Sequence, residues 1–337
     1  MHTLLDPAIL FFIFGVLAGA VKSNLEIPQP ISRFLALYLL MALGLKGGFA
    51  LAHSGFTPQV ATSLGTAILL AVAVPLLGYG LLRKFVSAFD AAAVAATYGS
   101  VSAVTFVTAV QTLENQNVPF GGYMSAAMAL MESPAIILAI VFANALREKQ
   151  ACRVAASSGG VAVLSWGLSP QRSGVPIGKV LHESFTDGAQ LLLLGAMLIG
   201  ILSGDAGKAA MQPFSGDLFK GMLAFFLLDM GLLTARSVTQ IRGKSPWLLA
   251  YAVVGPLAHA SLALCICAVL NIPTGDTILL MVLAASASYI AVPAVMRHAV
   301  PEANPSLYCG LSLGITFPLN ILFGIPLYNY VANRVLA

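Results

Sequence analysis

Ten apolar runs, near 7–21, 32–52, 60–81, 90–112, 121–146, 187–203, 211–234, 247–270, 276–297 and 306–333, leave this chain few ways to fold. A hydrocarbon core about 30 Å thick takes roughly 20 apolar residues in a helix, fewer where the helix is short or broken. The expected fold is an all-α polytopic membrane protein of about ten transmembrane helices in the lipid bilayer. Composition agrees. Charged residues are 9% of the 337, against about 25% in ordinary soluble domains, too few to cover the surface of a soluble protein this size.

The net charge of +4 comes from basic residues in short clusters between apolar runs, with no polybasic face, so no nucleic-acid partner is expected. The cysteines form no metal or redox motif: Cys265, Cys267 and Cys309 sit in apolar runs, and Cys152 falls in a polar stretch read as loop. The first apolar run starts near Ile9 without a basic n-region and reads as a mature first helix rather than a signal peptide. No metal-ligand cluster, aspartate pair or Ser–His arrangement is legible, which argues against an intramembrane enzyme.

Charge placement orients the spans. If the connection after the fifth helix is cytoplasmic, thirteen of the seventeen Lys and Arg residues fall on inside loops and adjoining helix ends. Lys46, Lys208, Lys220 and Arg334 are left for the outside or the spans. This positive-inside bias places both termini on the periplasmic or extracellular side of the inner (plasma) membrane and residues 147–186 in the cytoplasm.

That connection divides the chain into five-helix halves, 1–146 and 187–337. An odd number of helices per half makes the second enter the membrane inverted. Internal matches support a duplication: Gly99-Ser100-Val101-Ser102 with Ala285-Ser286-Ala287-Ser288, Pro119 with Pro305, Pro134 with Pro318, and Gly44-Leu45 with Gly231-Leu232, all at offsets of 184 to 187. Inverted repeats point to a secondary transporter with its site where the repeats meet. Small residues allow close helix approach, and serine hydroxyls replace backbone hydrogen bonds where a helix unwinds. Pro293 removes a helical donor just past Ser288. Two discontinuous helices are therefore expected to cross near Ser100–Thr105 and Ser286–Ala291, where half-helix N-termini suit an anion and unwound carbonyls and hydroxyls suit a small cation.

Ionisable groups within spans are few and costly. Glu132, ahead of Ser133-Pro134, is the candidate cation ligand or coupling group. Lys46 and Asp229 are expected to stabilise helix packing or a subunit contact. His259 reads as a hydrogen-bonded core histidine, and Arg297 is placed to snorkel. The crossing lacks the paired carboxylates a proton-coupled antiporter would want.

Several segments resemble the sodium-dependent bicarbonate transporters first known from cyanobacteria: Leu43-Gly44-Leu45-Lys46-Gly47-Gly48, Tyr98-Gly99-Ser100-Val101-Ser102, the run Ser286 to Ala294, Pro301 to Tyr308, and Leu313 to Pro318. The resemblance covers nearly the whole chain. It implies two inverted five-helix repeats, a core group of helices moving against a gate group in an elevator-like mechanism, a homotrimer, and sodium-coupled symport of bicarbonate with Na+ as coupling ion. It carries substrate-binding roles onto Ser100, Ser102, Thr105, Ser286, Ser288 and Ala291. Glu132, Ser133 and Thr316 are the candidate sodium-site residues. It also implies that a small PII-like regulatory protein can dock on the cytoplasmic face. Two alternatives stand beside bicarbonate symport: a sodium-coupled transporter of another small anion or carboxylate, and a membrane ligand sensor. The connecting segment is short and Gly- and Ser-rich, with no signalling module, which favours transport.

Overall fold

The computed structural model describes residues 5–55, 57–157, 188–238 and 245–336, and all regular structure among them is helical. In chain order the helices are α1 (Pro7–Ala20), α2 (Gln29–Ser54), α3 (Pro58–Leu82), α4 (Ala88–Gly99), α5 (Ala103–Asn115), α6 (Met124–Ser157), α7 (Gly188–Gln212), α8 (Phe219–Val238), α9 (Pro246–Val269), α10 (Thr274–Ala285), α11 (Ala291–Ala299) and α12 (Pro305–Val335). Proline opens α1, α3, α9 and α12, where its fixed φ suits the first turn and its missing N–H costs nothing.

Among the described residues, seven stretches are long and apolar enough to cross a membrane, with Pro7–Ala20 and Thr274–Ala285 as shorter apolar helices. The ten apolar runs map onto these helices, with α4–α5 and α10–α11 each forming one broken run. Two boundaries differ from the sequence reading. Helix α6 continues past Arg147 to Ser157, taking in Cys152, which had read as loop. Helix α7 is bent at Gly204, where φ is 53° and ψ −141°. That left-handed conformation favours glycine, and it comes one residue after the expected end of the span. From 158 to 187, most of the expected cytoplasmic connection lies outside the described residues.

The helices pack as two groups. In the first, α1 lies along α8 and α2 lies along α7. In the second, α3 packs on α4 and α6, α5 and α9 pack on α10, and α11 packs on α4, α6 and α12. Helix α12 reaches α4, α9 and α10 and also touches α8 of the first group. The contacts in the first group are glycine-built. A Cβ on Gly15 would press into the Leu228 carbonyl, and one on Gly231 into that of Phe12. On the other pair, a Cβ on Gly48 would press into the Met197 carbonyl, and one on Gly200 into that of Leu45. A Cβ on Gly44 would likewise press into the Leu193 carbonyl, so Gly44 and Gly231, matched in the sequence, have equivalent jobs, each letting its helix approach a helix of the other half.

Half-helices α4, α5 and α10 are buried on all sides: residues 91–99, 104–113 and 275–285 are all buried. An all-round apolar helix belongs in a core rather than at a lipid face, whereas α3 exposes Ile68, Leu69, Leu76 and Leu77 along one side. Two aspartates pin the buried half-helices to the opposite half of the chain. Asp90, at the start of α4, accepts a hydrogen bond from the Asn304 N–H (2.8 Å), just before α12. Asp276, at the start of α10, accepts one from the Gly121 N–H (2.7 Å), just before α6, and another from the Tyr123 hydroxyl. These aspartates stand 186 positions apart, the offset of the serine match.

Arg147 closes the end of the second group. It pairs with Glu302 at 2.7 Å and donates to the Ala299 carbonyl at 2.9 Å. The guanidinium holds the Glu302 carboxyl below its ordinary range. A lowered carboxylate pKa stabilises the fold above the unfolded-state value and loses that contribution as pH falls through the folded value. In detergent, the thermal-stability advantage of wild type over Glu302→Gln is expected to be present at neutral pH and to fade as pH falls through and below the ordinary carboxylate range; partial exposure keeps it within about 1 kcal/mol. For the packing, Gly48→Ala is expected to cost about 1–3 kcal/mol, read as a lowered unfolding temperature. Gly80→Ala, where a Cβ meets nothing within 4 Å, should leave it unchanged.

Candidate substrate site at the helix crossing

Helix α4 stops at Gly99 because Ser100 turns extended (φ −94°, ψ 177°), and α5 restarts after Ser102 (φ −105°, ψ 110°). Gly99 also admits a close neighbour, since a Cβ there would lie 2.6 Å from the Pro75 ring of α3. In the second half α10 stops at Ala285, Ser286 turns extended (φ −78°, ψ 165°), and α11 restarts at Ala291. A continuous helix is barred there because the ring of Pro293 would clash with the carbonyl four residues earlier. As the third residue of α11 it is harmless, because that N–H has no intrahelical partner to lose. Both breaks fall where the sequence placed them, the second longer than the first.

The two unwound segments hold each other. The Ser102 N–H donates to Ser286 Oγ at 2.9 Å, and the Ser288 N–H donates to the Thr97 carbonyl at 2.8 Å. Ser102 and Ser288 are equivalent in the repeat, so each half sends the same backbone N–H across to the other. Their hydroxyls cap the restarting helices. Ser102 Oγ accepts from the Thr105 N–H (3.3 Å) and lies 3.0 Å from Thr105 Oγ1, while Ser288 Oγ accepts from the Val292 N–H (3.3 Å). The carbonyls ending α10 are also met. Leu283 O receives the Ser286 hydroxyl (2.9 Å), Ala284 O is hydrogen-bonded by His259, and Ala285 O receives Asn320 Nδ2 (2.8 Å). Tyr328 holds Asn320 in turn through a 2.9 Å bond to its Oδ1.

Ser100, Ser102, Thr105, Ser286 and Ser288 are all buried. The Ser100 hydroxyl is the exception to this satisfaction, with no hydrogen-bond partner. Residues 97–105 and 283–292 contain no Asp, Glu, Lys or Arg, so the crossing is formally neutral. Its charge complementarity comes from the N-termini of α5 and α11, which favour an anion, and from hydroxyl and carbonyl oxygens, which favour a hard cation. Ala291 opens α11, and its side chain lies outside the described residues.

The candidate sodium-site residues have other neighbours. Glu132 accepts from Gln190 Nε2 of α7 at 2.8 Å. Ser133 is buried with its hydroxyl unpaired. Thr316 sits in a π turn of α12, Ser312–Thr316, where it donates to the Ala252 carbonyl (2.8 Å) and meets the Tyr98 hydroxyl at 2.6 Å. A second π turn, Asn320–Gly324, begins at the residue that holds Ala285. Among the described residues no group of three or more His, Cys, Asp or Glu side chains is placed to hold a metal ion.

A family model described as the Na+-dependent bicarbonate transporter superfamily matches residues 7–333, nearly the whole chain. The chain belongs to that superfamily. No curated protein matches the sequence. In this bicarbonate-transporter fold, sequence reasoning missed Thr97, Asn320 and the two pinning aspartates. The aspartates carried a signal in their common offset, and Asn320 stood out as an amide within an apolar run. Thr97 acts through its carbonyl, which no side-chain pattern reveals. Asn320→Leu leaves a buried carbonyl bare and is expected to destabilise this transporter by about 1–3 kcal/mol. Thermal unfolding in detergent checks this, with Tyr328→Phe giving a smaller loss in the same direction.

Proposed function

We propose that this chain is a sodium-coupled symporter that takes up bicarbonate, with the anion held at the crossing by Ser100, Ser102, Thr105, Ser286, Ser288 and the start of α11 at Ala291. One observation carries the reading. Two half-helix N-termini, from opposite halves of the chain, start beside a buried, uncharged cluster of hydroxyls in a protein of the bicarbonate-transporter superfamily. A neutral site of this kind binds a small anion through oriented N–H groups and hydroxyls without trapping it in an ion pair.

Residues 1–146 and 187–337 are, on this reading, inverted repeats joined by the 147–186 connection. The group holding α1, α2, α7 and α8 serves as gate, and the group holding the crossing slides against it as an elevator. Support comes from the packing, because both broken helices lie wholly in one group. Sodium is assigned to Glu132 and to Ser133, whose unpaired buried hydroxyl is a ready oxygen ligand. Thr316 has committed its proton to Ala252 and retains a lone pair for a cation. The positive-inside count supports an inner-membrane location with both termini outside. The homotrimer and a PII-like cytoplasmic partner extend the reading from family resemblance.

The test is radiolabelled bicarbonate uptake by proteoliposomes with and without an inward sodium gradient. Sodium-dependent accumulation is expected. Its absence in vesicles holding folded protein, with uptake of another small carboxylate instead, would replace the cargo and keep the site. Ser102→Ala and Ser288→Ala should each weaken uptake without loss of folded protein. Glu132→Gln should raise the half-saturating sodium concentration roughly tenfold, the equivalent of about 1.4 kcal/mol.

A further inference from the structure

The outer end of α5 is gripped by the opposite helix group. Lys46 of α2 lies 3.0 Å from both carboxylate oxygens of Glu114, with its ammonium 4.3 Å from the centre of the Phe219 ring of α8. The next residue, Asn115, is held from two further directions. Its amide donates to Asp6 Oδ2 (2.9 Å), the residue capping α1, and its Oδ1 accepts from Lys220 of α8 (3.0 Å). Lys46, Asp6 and Lys220 all belong to the α1–α2–α7–α8 group or its cap. Two further ion pairs among the described residues lie within a group: His53–Asp205 joins α2 to α7, and Arg147–Glu302 stays within the second group.

From these contacts we infer that Lys46–Glu114, with Asn115 beside it, is a releasable clamp that holds the two helix groups in this arrangement and must open when they slide. The inference rests on the elevator reading above and adds to it the contact that sets the resting position. Three features suit release rather than permanent stapling. Both charged side chains keep partial access to solvent, 25% and 32% exposed, so each is rehydrated on parting and avoids the penalty of a stranded buried charge. The pair borders a cavity of about 740 Å³, also lined by Gln111 and Lys220, which gives both side chains room to separate without unpacking a helix. Finally, α5 is a buried 13-residue rod, roughly 20 Å long, with Ser102 at one end and Glu114 near the other. A grip on its outer end therefore constrains the crossing directly.

The experiment measures the distance between spin labels at Ala52→Cys, on the outer end of α2, and Val269→Cys, on the outer end of α9. The background lacks the four native cysteines. Lys46→Met and Glu114→Gln are expected to increase the minor distance population at least threefold, and the reversed pair Lys46→Glu/Glu114→Lys to restore the parental distribution. A merely structural pair would lower the unfolding temperature of the single variants while leaving their distance populations at the parental values, and that result overturns the clamp. The distances are read without reference to transport. If they shift and revert as expected while the parent accumulates no bicarbonate, the clamp stands and the cargo assignment falls. If uptake is intact and no variant moves the populations, the clamp falls and the transport reading stands.

Discussion

Breaking a helix inside a membrane exposes backbone N–H and C=O groups to a medium that cannot solvate them, and each one left bare costs several kcal/mol. The two breaks in this chain persist because each supplies what the other lacks. The Ser102 and Ser288 N–H groups find acceptors in Ser286 and Thr97, across the boundary between the halves. His259 and Asn320 meet the carbonyls left at the end of α10. Removing one half would leave the other with unpaired backbone in its core, so neither broken helix is viable without its counterpart.

Much of the remaining architecture positions that mutual repair. Asp90 and Asp276 fasten the starts of the buried half-helices to the loops before the last helix of the opposite half. Their symmetry shows that the halves are interlocked at the polar ends as well as at the crossing. The glycine contacts of α1 with α8 and of α2 with α7 follow the same exchange. They also close those four helices into a unit of their own, packed by backbone proximity rather than by the polar network that organises the rest.

The neutrality of the crossing bears on the cargo. A buried cation pairing the anion would bind tightly and release slowly, whereas helix termini and hydroxyls offer partial charges already in place. The unpaired Ser100 hydroxyl is the polar group of this cluster with bonding capacity to spare. Superfamily membership, the two half-helix N-termini and that spare hydroxyl are the grounds on which the proposed small-anion site rests.

By itself the sequence determined which stretches are apolar enough to cross a membrane and the places where two helices break. These are short-range properties: hydropathy over some twenty residues, and serine, glycine and Pro293 acting on their own turns. Tertiary structure alone decided the partners. It set the pairing of Lys46 with Glu114, the approach of Gln190 to Glu132, the use of the Thr97 carbonyl, and the π turns that present Thr316 and Asn320. Each depends on which faces of distant helices meet, and on axial shifts of a residue or two. Packing over the whole molecule sets those shifts, and no local pattern in the chain encodes them.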